Sequence, residues 1–194
     1  YEELVDKVLA EAREEAGTPN VVGDIRAAMV FALKDAVGQE WIDARHAMWL
    51  RKAARLRDVP GLQMLGTPAA ARLPILSFRI RDGRGGFVHQ QLATRMLSDL
   101  HGVQARGGCA CAGPYVHRLL GIGAAESRRL RTAILRGDEI EKPGFVRLNL
   151  CWAAPEAEID AILSAMTDLA RHAAEHLHRY RCDPATAIFT PVAA

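Results

Sequence analysis

An α/β architecture is what this 194-residue chain predicts: a small sheet covered by helices, preceded by helices with no sheet of their own. Three observations carry that expectation. Apolar residues recur at helical spacing through the first sixty residues, then switch to strict alternation at "LPILSFRI". From there strand and helix signals alternate, which is the pattern of helices packed on a sheet. Composition is that of an ordinary globular chain, 49% hydrophobic and 25% charged. The division expected is a helical segment over residues 1–60, either a connector or the remnant of a larger domain, and an α/β domain over residues 61–194.

The elements follow in order. Residues 1–16 carry Leu4, Val5, Val8 and Leu9 on one helical face. "GTPN" interrupts them, and Asn20 caps a second helix, "VVGDIRAAMVFALKDAVG", which Gly38 ends. A third helix runs through "QEWIDARHAMWLRKAARLRDV" to Pro60, with Trp41 and Trp49 as core or interface anchors. "GLQMLGTPAAAR" reads as a loop. "LPILSFRI" sets Leu76, Phe78 and Ile80 against Ile75, Ser77 and Arg79, the alternation of a half-buried strand. After the turn "RDGRGG", a helix with Val88, Leu92, Met96 and Leu100 in its stripe closes at Gly102. "VQAR" is a short strand, and "PYVHRLLGI" and "AAESRRLRTAILRGDEI" are polar helices. "GFVRLNLCW" is a strand, and Pro155 opens the last long helix with acids near its positive end. The tail "CDPATAIFTPVAA" is expected to be loosely ordered.

Charge and hydropathy narrow the function classes. A net charge of +2 with scattered arginines does not describe a nucleic-acid or anionic-membrane surface. No apolar run approaches the roughly 20 residues that cross a bilayer. The amphipathic N-terminus is not a secretory signal. Beginning at Tyr, the sequence is expected to be cut from something longer. Cys109, Cys111, Cys151 and Cys182 form no disulfide framework, so a reducing cytoplasm is the expected location.

The segment with most chemistry is "ARGGCACAGPY", residues 105–115. As zinc ligands its two cysteines lack two further soft ligands in a tight knuckle, so no metal is expected. As packing, small residues let a strand and a helix approach closely, and Cys is a small hydrophobe. As chemistry, Arg106 favours the thiolate, which is the nucleophile. Arg147, on the strand "FVRLNL", offers a fork for a carboxylate. Two guanidiniums and a thiol suit an amino-acid substrate, although an arginine on a strand also pairs with surface acids such as Glu156.

Three stretches, "EEAGTPNVVGDIRAAMVFAL", "ARGGCACAGPY" and "FVRLNLCWAAPEAEIDAILSAM", together resemble the C-terminal part of class V aminotransferase-like proteins. That is the fold-type-I branch of pyridoxal-phosphate (PLP) enzymes which includes cysteine desulfurases and selenocysteine lyases. The resemblance runs from about Glu14 to about Ala170. It implies that the α/β part is the small C-terminal domain of such an enzyme and that the helices before it belong to the connector or large domain. It implies PLP as cofactor, an amino-acid substrate and a homodimer. Gly17 and Thr18 then stand in the turn that reaches the neighbouring subunit's PLP phosphate, with capping of the next helix as the blander role for Thr18. Cys111 stands where desulfurases keep their sulfur-accepting nucleophile, and Cys109 is an extra, packing cysteine. Arg147 matches the arginine that grips the substrate α-carboxylate, and Arg106 the one that opens the cysteine loop. His117, on "PYVHRLL", is a further candidate for the same pocket.

Two departures accompany the resemblance. The imine-forming lysine of the family precedes the Gly-Thr-Pro turn, and Lys7, Lys34, Lys52 and Lys142 do not sit in its context, so this chain by itself is expected not to catalyse. The charged insert "GAAESRRLRTAILRGDEIEKPG" lengthens a connection that compact desulfurases keep short, which leaves transamination beside desulfuration. The rival from another class is a stand-alone interaction or thiol-carrier domain without PLP activity. His172, His176 and His178 read as a solvated helix face.

Overall fold

The computed structural model describes residues 19–108 and 113–192. By its internal contacts the chain divides into two units, Tyr1–Asp43 and Ala44–Ala194. In the first, helix α1 (Val21–Val37) starts where the Asn20 side chain accepts from the Gly23 amide, and it ends at Gly38, whose φ is +88°. None of its residues is buried, and Ile25, Met29, Phe31 and Leu33 are all exposed. Helix α2 (Gln39–Ala54) begins in the first unit and continues into the second. The helix read over residues 1–16 lies outside the described residues.

The second unit is the expected α/β structure. Strands β1 (Leu62–Met64), β2 (Ile75–Ile80), β3 (Arg106–Gly108) and β4 (Phe145–Asn149) form one antiparallel sheet in the order β1-β2-β4-β3. Helices α3 (Gln90–His101), α4 (Gly113–Leu120), α5 (Ala124–Leu135) and α6 (Glu156–His176) accompany it. Alternation along β2 and β4 decides which face is covered. Leu76, Phe78, Ile80, Val146 and Leu148 join Leu92, Met96, Leu97, Ile159, Leu163, Met166 and Leu169 in one buried cluster. Helices α3 and α6 therefore supply the apolar layer for that face. Trp49, fully buried, enters the same cluster from α2 and donates its Nε1–H to the Cys151 carbonyl at 3.0 Å. Trp41 is 49% exposed.

The opposite face is covered only in part. Phe145 packs with Leu65 and Val116, and with Leu119 and Leu120, so α4 lies over this face at one end. Gly102 closes α3 in the left-handed conformation, with φ +67°.

Three expectations need correction. The loop "GLQMLGTPAAAR" contains a strand, β1, which gains its hydrogen bonds by pairing Leu62 with Ile80 and Met64 with Phe78. The strand read at "VQAR" instead occupies Arg106–Gly108. The tail is a hairpin, β5 (Tyr180–Asp183) and β6 (Ile188–Pro191), rather than loose chain. The Asp183 carboxylate accepts from Ala185 N and Thr186 Oγ1 to shape its turn, and Phe189 packs against the main core.

Candidate functional site

Strand β4 is the middle of the site. Its residues Phe145, Arg147 and Asn149 point away from the large helix-covered core, as do Ile75, Ser77 and Arg79 of β2. Register aligns Ser77, Arg147 and Arg106 in one row across three strands. The half-covered face therefore presents a hydroxyl and two guanidiniums side by side.

Arg147 lines a cleft of about 460 Å³ together with Ser77, Phe145, Tyr115, Leu119 and Arg72. Tyr115 and Leu119 come from successive turns of α4, and Arg72 from the segment that leads into β2. Among the described residues no carboxylate lines this cleft, and neither Arg147 nor Arg72 has a hydrogen-bond or ion-pair partner. Glu156, the surface acid that could have taken Arg147, is held by Lys52 Nζ at 2.6 Å, with Asp160 on the same ammonium. Arg147 is half-buried, and among the described residues its five donors have no protein acceptor.

Arg106 stands directly opposite Arg147 in register but lines a neighbouring cleft of about 280 Å³, with His89, Lys142 and Thr186. The glycines around it are required by close packing. A Cβ on Gly107 would lie 2.9 Å from the Gln90 carbonyl oxygen, and one on Gly144 would lie 2.8 Å from the carbonyl carbon of Gly108. Gly108 itself has φ +134°. The Gly-Gly pair of "ARGGCACAGPY" is thus explained by a strand pressed between a helix start and its neighbour. Burial lowers the pKa of His89, with a hydrogen bond to the Ile140 backbone acting the other way.

The other sequence candidates distribute as follows. His117 is half-buried on α4 and does not line the Arg147 cleft. Cys109, Cys111, Gly17 and Thr18 lie outside the described residues. In sequence the cysteine segment is flanked by Gly108 of β3 and Gly113 of α4; residues of these two elements line the Arg147 cleft or its neighbour. Cys151 is exposed; burial, then Asp183, raises the thiol pKa of Cys182. His172 does have an acid companion, Asp168 at 3.0 Å, which also faces His101 at 3.4 Å. Among the described residues no group of three or more His, Cys, Asp or Glu side chains could hold a metal ion.

Sequence reading missed Arg72, Ser77 and Tyr115 as neighbours of Arg147. Only the β2–β4 register and the approach of α4 join them, and no spacing in the chain announces it.

PLP requires a lysine to form its imine, and the described lysines do not fit that task. Lys52 is held by Glu156 and Asp160, Lys142 pairs with Glu139, and Lys34 lies on α1. None of them lines the Arg147 cleft. The described residues thus supply a cleft with an unpaired guanidinium, but no lysine that lines it. Among the described residues no helix is long and apolar enough to cross a membrane.

The family model for aminotransferase class-V matches residues 6–162. A probable cysteine desulfurase of Xylella fastidiosa (strain 9a5c) is 38% identical over 105 residues, which is 53% of this chain and 23% of that protein. A probable cysteine desulfurase of Mycolicibacterium paratuberculosis (strain ATCC BAA-968 / K-10) is 30% identical over 106 residues, 54% of this chain and 14% of that protein. Probable cysteine desulfurase 1 of Mycobacterium leprae (strain TN) is 29% identical over 106 residues, 54% of this chain and 16% of that protein. The match spans less than a quarter of each relative's length. The match to residues 6–162 takes in well over half of the sequence, including the strand of Arg147 and the segment of Cys111, and the chain belongs to the aminotransferase class-V family.

Proposed function

We propose that this chain is the carboxylate-binding small domain of a PLP-dependent enzyme acting on an α-amino acid. The observation that carries the reading is the unpaired Arg147 guanidinium in a cleft lined, among the described residues, by no acid. A strand-borne arginine is held firmly enough to orient a carboxylate through two parallel hydrogen bonds. The family is PLP-dependent and supplies the electron sink for amino-acid chemistry when the cofactor is bound.

The finer reading is cysteine desulfuration, with Cys111 as sulfur acceptor, alanine as product and Cys109 as packing. The resemblance of the cysteine segment supports it, as do the names of the relatives. Arg106 and His117 serve the same substrate side in this reading, and Gly17 and Thr18 serve the PLP phosphate of the partner subunit in a homodimer. The complete protein, incubated with cysteine, is then expected to release alanine. Cys111→Ala abolishes that release and Cys109→Ala keeps it. Equal transamination by both variants would transfer the assignment to an aminotransferase.

A thiol-carrier or interaction module without cofactor chemistry is the second reading. It is favoured by one observation, that no described lysine lines the cleft. Absorbance of the purified complete protein decides: an aldimine band supports the enzyme, and a spectrum without one after incubation with PLP supports the module.

A further inference from the structure

The Arg147 cleft holds a second cation that an ordinary α-amino acid does not use. Arg72 is half-buried on the segment before β2 and lines the same cleft. Like Arg147, it has no hydrogen-bond or ion-pair partner among the described residues, and no carboxylate lines the space they share. Two guanidiniums in one cleft repel each other, and partial burial strengthens that repulsion relative to water. Other half-buried cations of this unit differ: Lys52 is answered by Glu156 and Asp160, and Arg79 by the Gln63 side-chain oxygen and the Phe87 ring, whereas Arg57 Nη2 is buried without a hydrogen-bond partner and lies outside this cleft. The pair in the cleft is answered by nothing the described chain supplies. The rest of the wall is mostly apolar or hydroxyl-bearing, with Phe145, Leu119, Tyr115 and Ser77. Such a wall favours a small organic ligand with anionic groups at both ends over a hydrated inorganic ion.

We propose that Arg72 is a specificity-determining residue which binds an oxyanion at the end of the substrate side chain while Arg147 holds the α-carboxylate. The substrate class is then the α-amino acids with an acidic side chain, a carboxylate or a sulfinate. This rests on the reading of Arg147 as carboxylate anchor and adds the side-chain class to it. The Ser77 hydroxyl, paired in register with Arg147 and on the wall of the same cleft, is a further donor for an anion.

Calorimetric binding to the complete, cofactor-loaded protein tests this with L-aspartate, L-glutamate, L-cysteine sulfinate, L-alanine, L-cysteine and inorganic phosphate as probes. At least one acidic amino acid is expected to bind roughly ten- to hundredfold more tightly than alanine, the yield of one charge-assisted contact. Arg72→Ala removes that preference and leaves alanine affinity unchanged, and Arg72→Lys restores part of it. Arg147→Ala weakens acidic and neutral amino acids alike. Three results overturn the proposal: acidic and neutral amino acids bound equally by the wild type, alanine and the acidic probes weakened equally by Arg72→Ala, or phosphate bound more tightly than every acidic amino acid. If Arg147→Ala changes no amino-acid affinity, the carboxylate-anchor reading fails as well, and this proposal falls with it. Raised salt separates the cases further, because a two-charge ligand loses affinity faster than alanine.

Discussion

The two faces of the four-stranded sheet are built from alternate residues of the same strands and have opposite character. On one, Leu76, Phe78, Ile80, Val146 and Leu148 are buried against α3 and α6. On the other, Ser77, Arg79, Arg147 and Arg106 stand in a polar field that α4 covers only at the Phe145 end. One residue step along β2 or β4 therefore separates what holds the domain together from what faces the polar, half-covered side. Stability and binding are accordingly expected to separate cleanly by parity of position.

The largest effect comes from breaking the covered face. Phe78 is fully buried, and Phe78→Ala is expected to cost about 3–5 kcal/mol, the lost transfer energy plus a cavity. Its neighbour Ser77 points to the other face, and Ser77→Ala is expected to stay within about 0.5 kcal/mol. Urea unfolding measures both, and equal costs would mean that the faces are not the separate layers described.

Two arginines sharpen the same contrast. Arg45 of α2 donates to the Trp152 carbonyl at 3.1 Å and to the Ala154 carbonyl, and its guanidinium lies 4.2 Å from the centre of the Trp49 ring. It ties a core helix to the turn before α6. Arg147 has no such partner among the described residues. Arg45→Ala is expected to destabilise by about 2–4 kcal/mol, from charge-assisted hydrogen bonds and the ring contact. Arg147→Ala should stay within about 0.5 kcal/mol while losing amino-acid affinity. A shift of the urea midpoint at constant slope reports the first, and calorimetry the second.

At the sheet edge the two roles meet in a glycine. Gly107→Ala sets a methyl group 2.9 Å from the Gln90 carbonyl oxygen, so β3 or the start of α3 must move. A cost of about 1–3 kcal/mol is expected from overpacking. The displaced strand carries Arg106, so the smaller cleft should be altered too. A crystal structure of the variant with β3 unmoved would break this link.

How far the sequence foretold this arrangement varies by element. The alternation of "LPILSFRI" named the buried side of β2 correctly, because a half-covered sheet imposes period two on its strands. Gly38 and Gly102 marked real helix ends, since each takes a positive φ. Strand β1 escaped because three residues carry no period and their pairing is with residues about sixteen positions away. The hairpin escaped because the tail was read as a loose terminus, whereas the Asp183 side-chain bonds and Phe189 packing hold it. Strand β3 was read too early because paired glycines are poor strand formers, yet only glycine fits against Gln90. The strand that carries Arg147 was legible from its apolar alternation. Arg72 and Tyr115 were not, because a cleft between a loop, a strand and a short helix has no linear signature.

The smallest expected effect tests the junction that the sequence missed. His89 precedes α3, and its Nδ1 accepts from the Gln91 amide at 3.3 Å. Its ring lies 5.3 Å from that of Phe189 on the hairpin, and burial holds its pKa below the ordinary 6.5. The unfolded chain therefore takes up a proton near 6.5 that the folded chain accepts only at lower pH. That contribution to stability is intact above 6.5 and is lost as pH falls from there through the folded pKa. His89→Asn keeps an acceptor at the cap and removes the titration, so its stability should decline less than that of the wild type between neutral pH and about 5. Phe189→Ala should expose the ring and move the His89 titration, followed by NMR, back toward 6.5. An unchanged titration in that variant would mean that α3 and the sheet bury His89 without help from the hairpin, whose place at this edge would then be incidental to the fold.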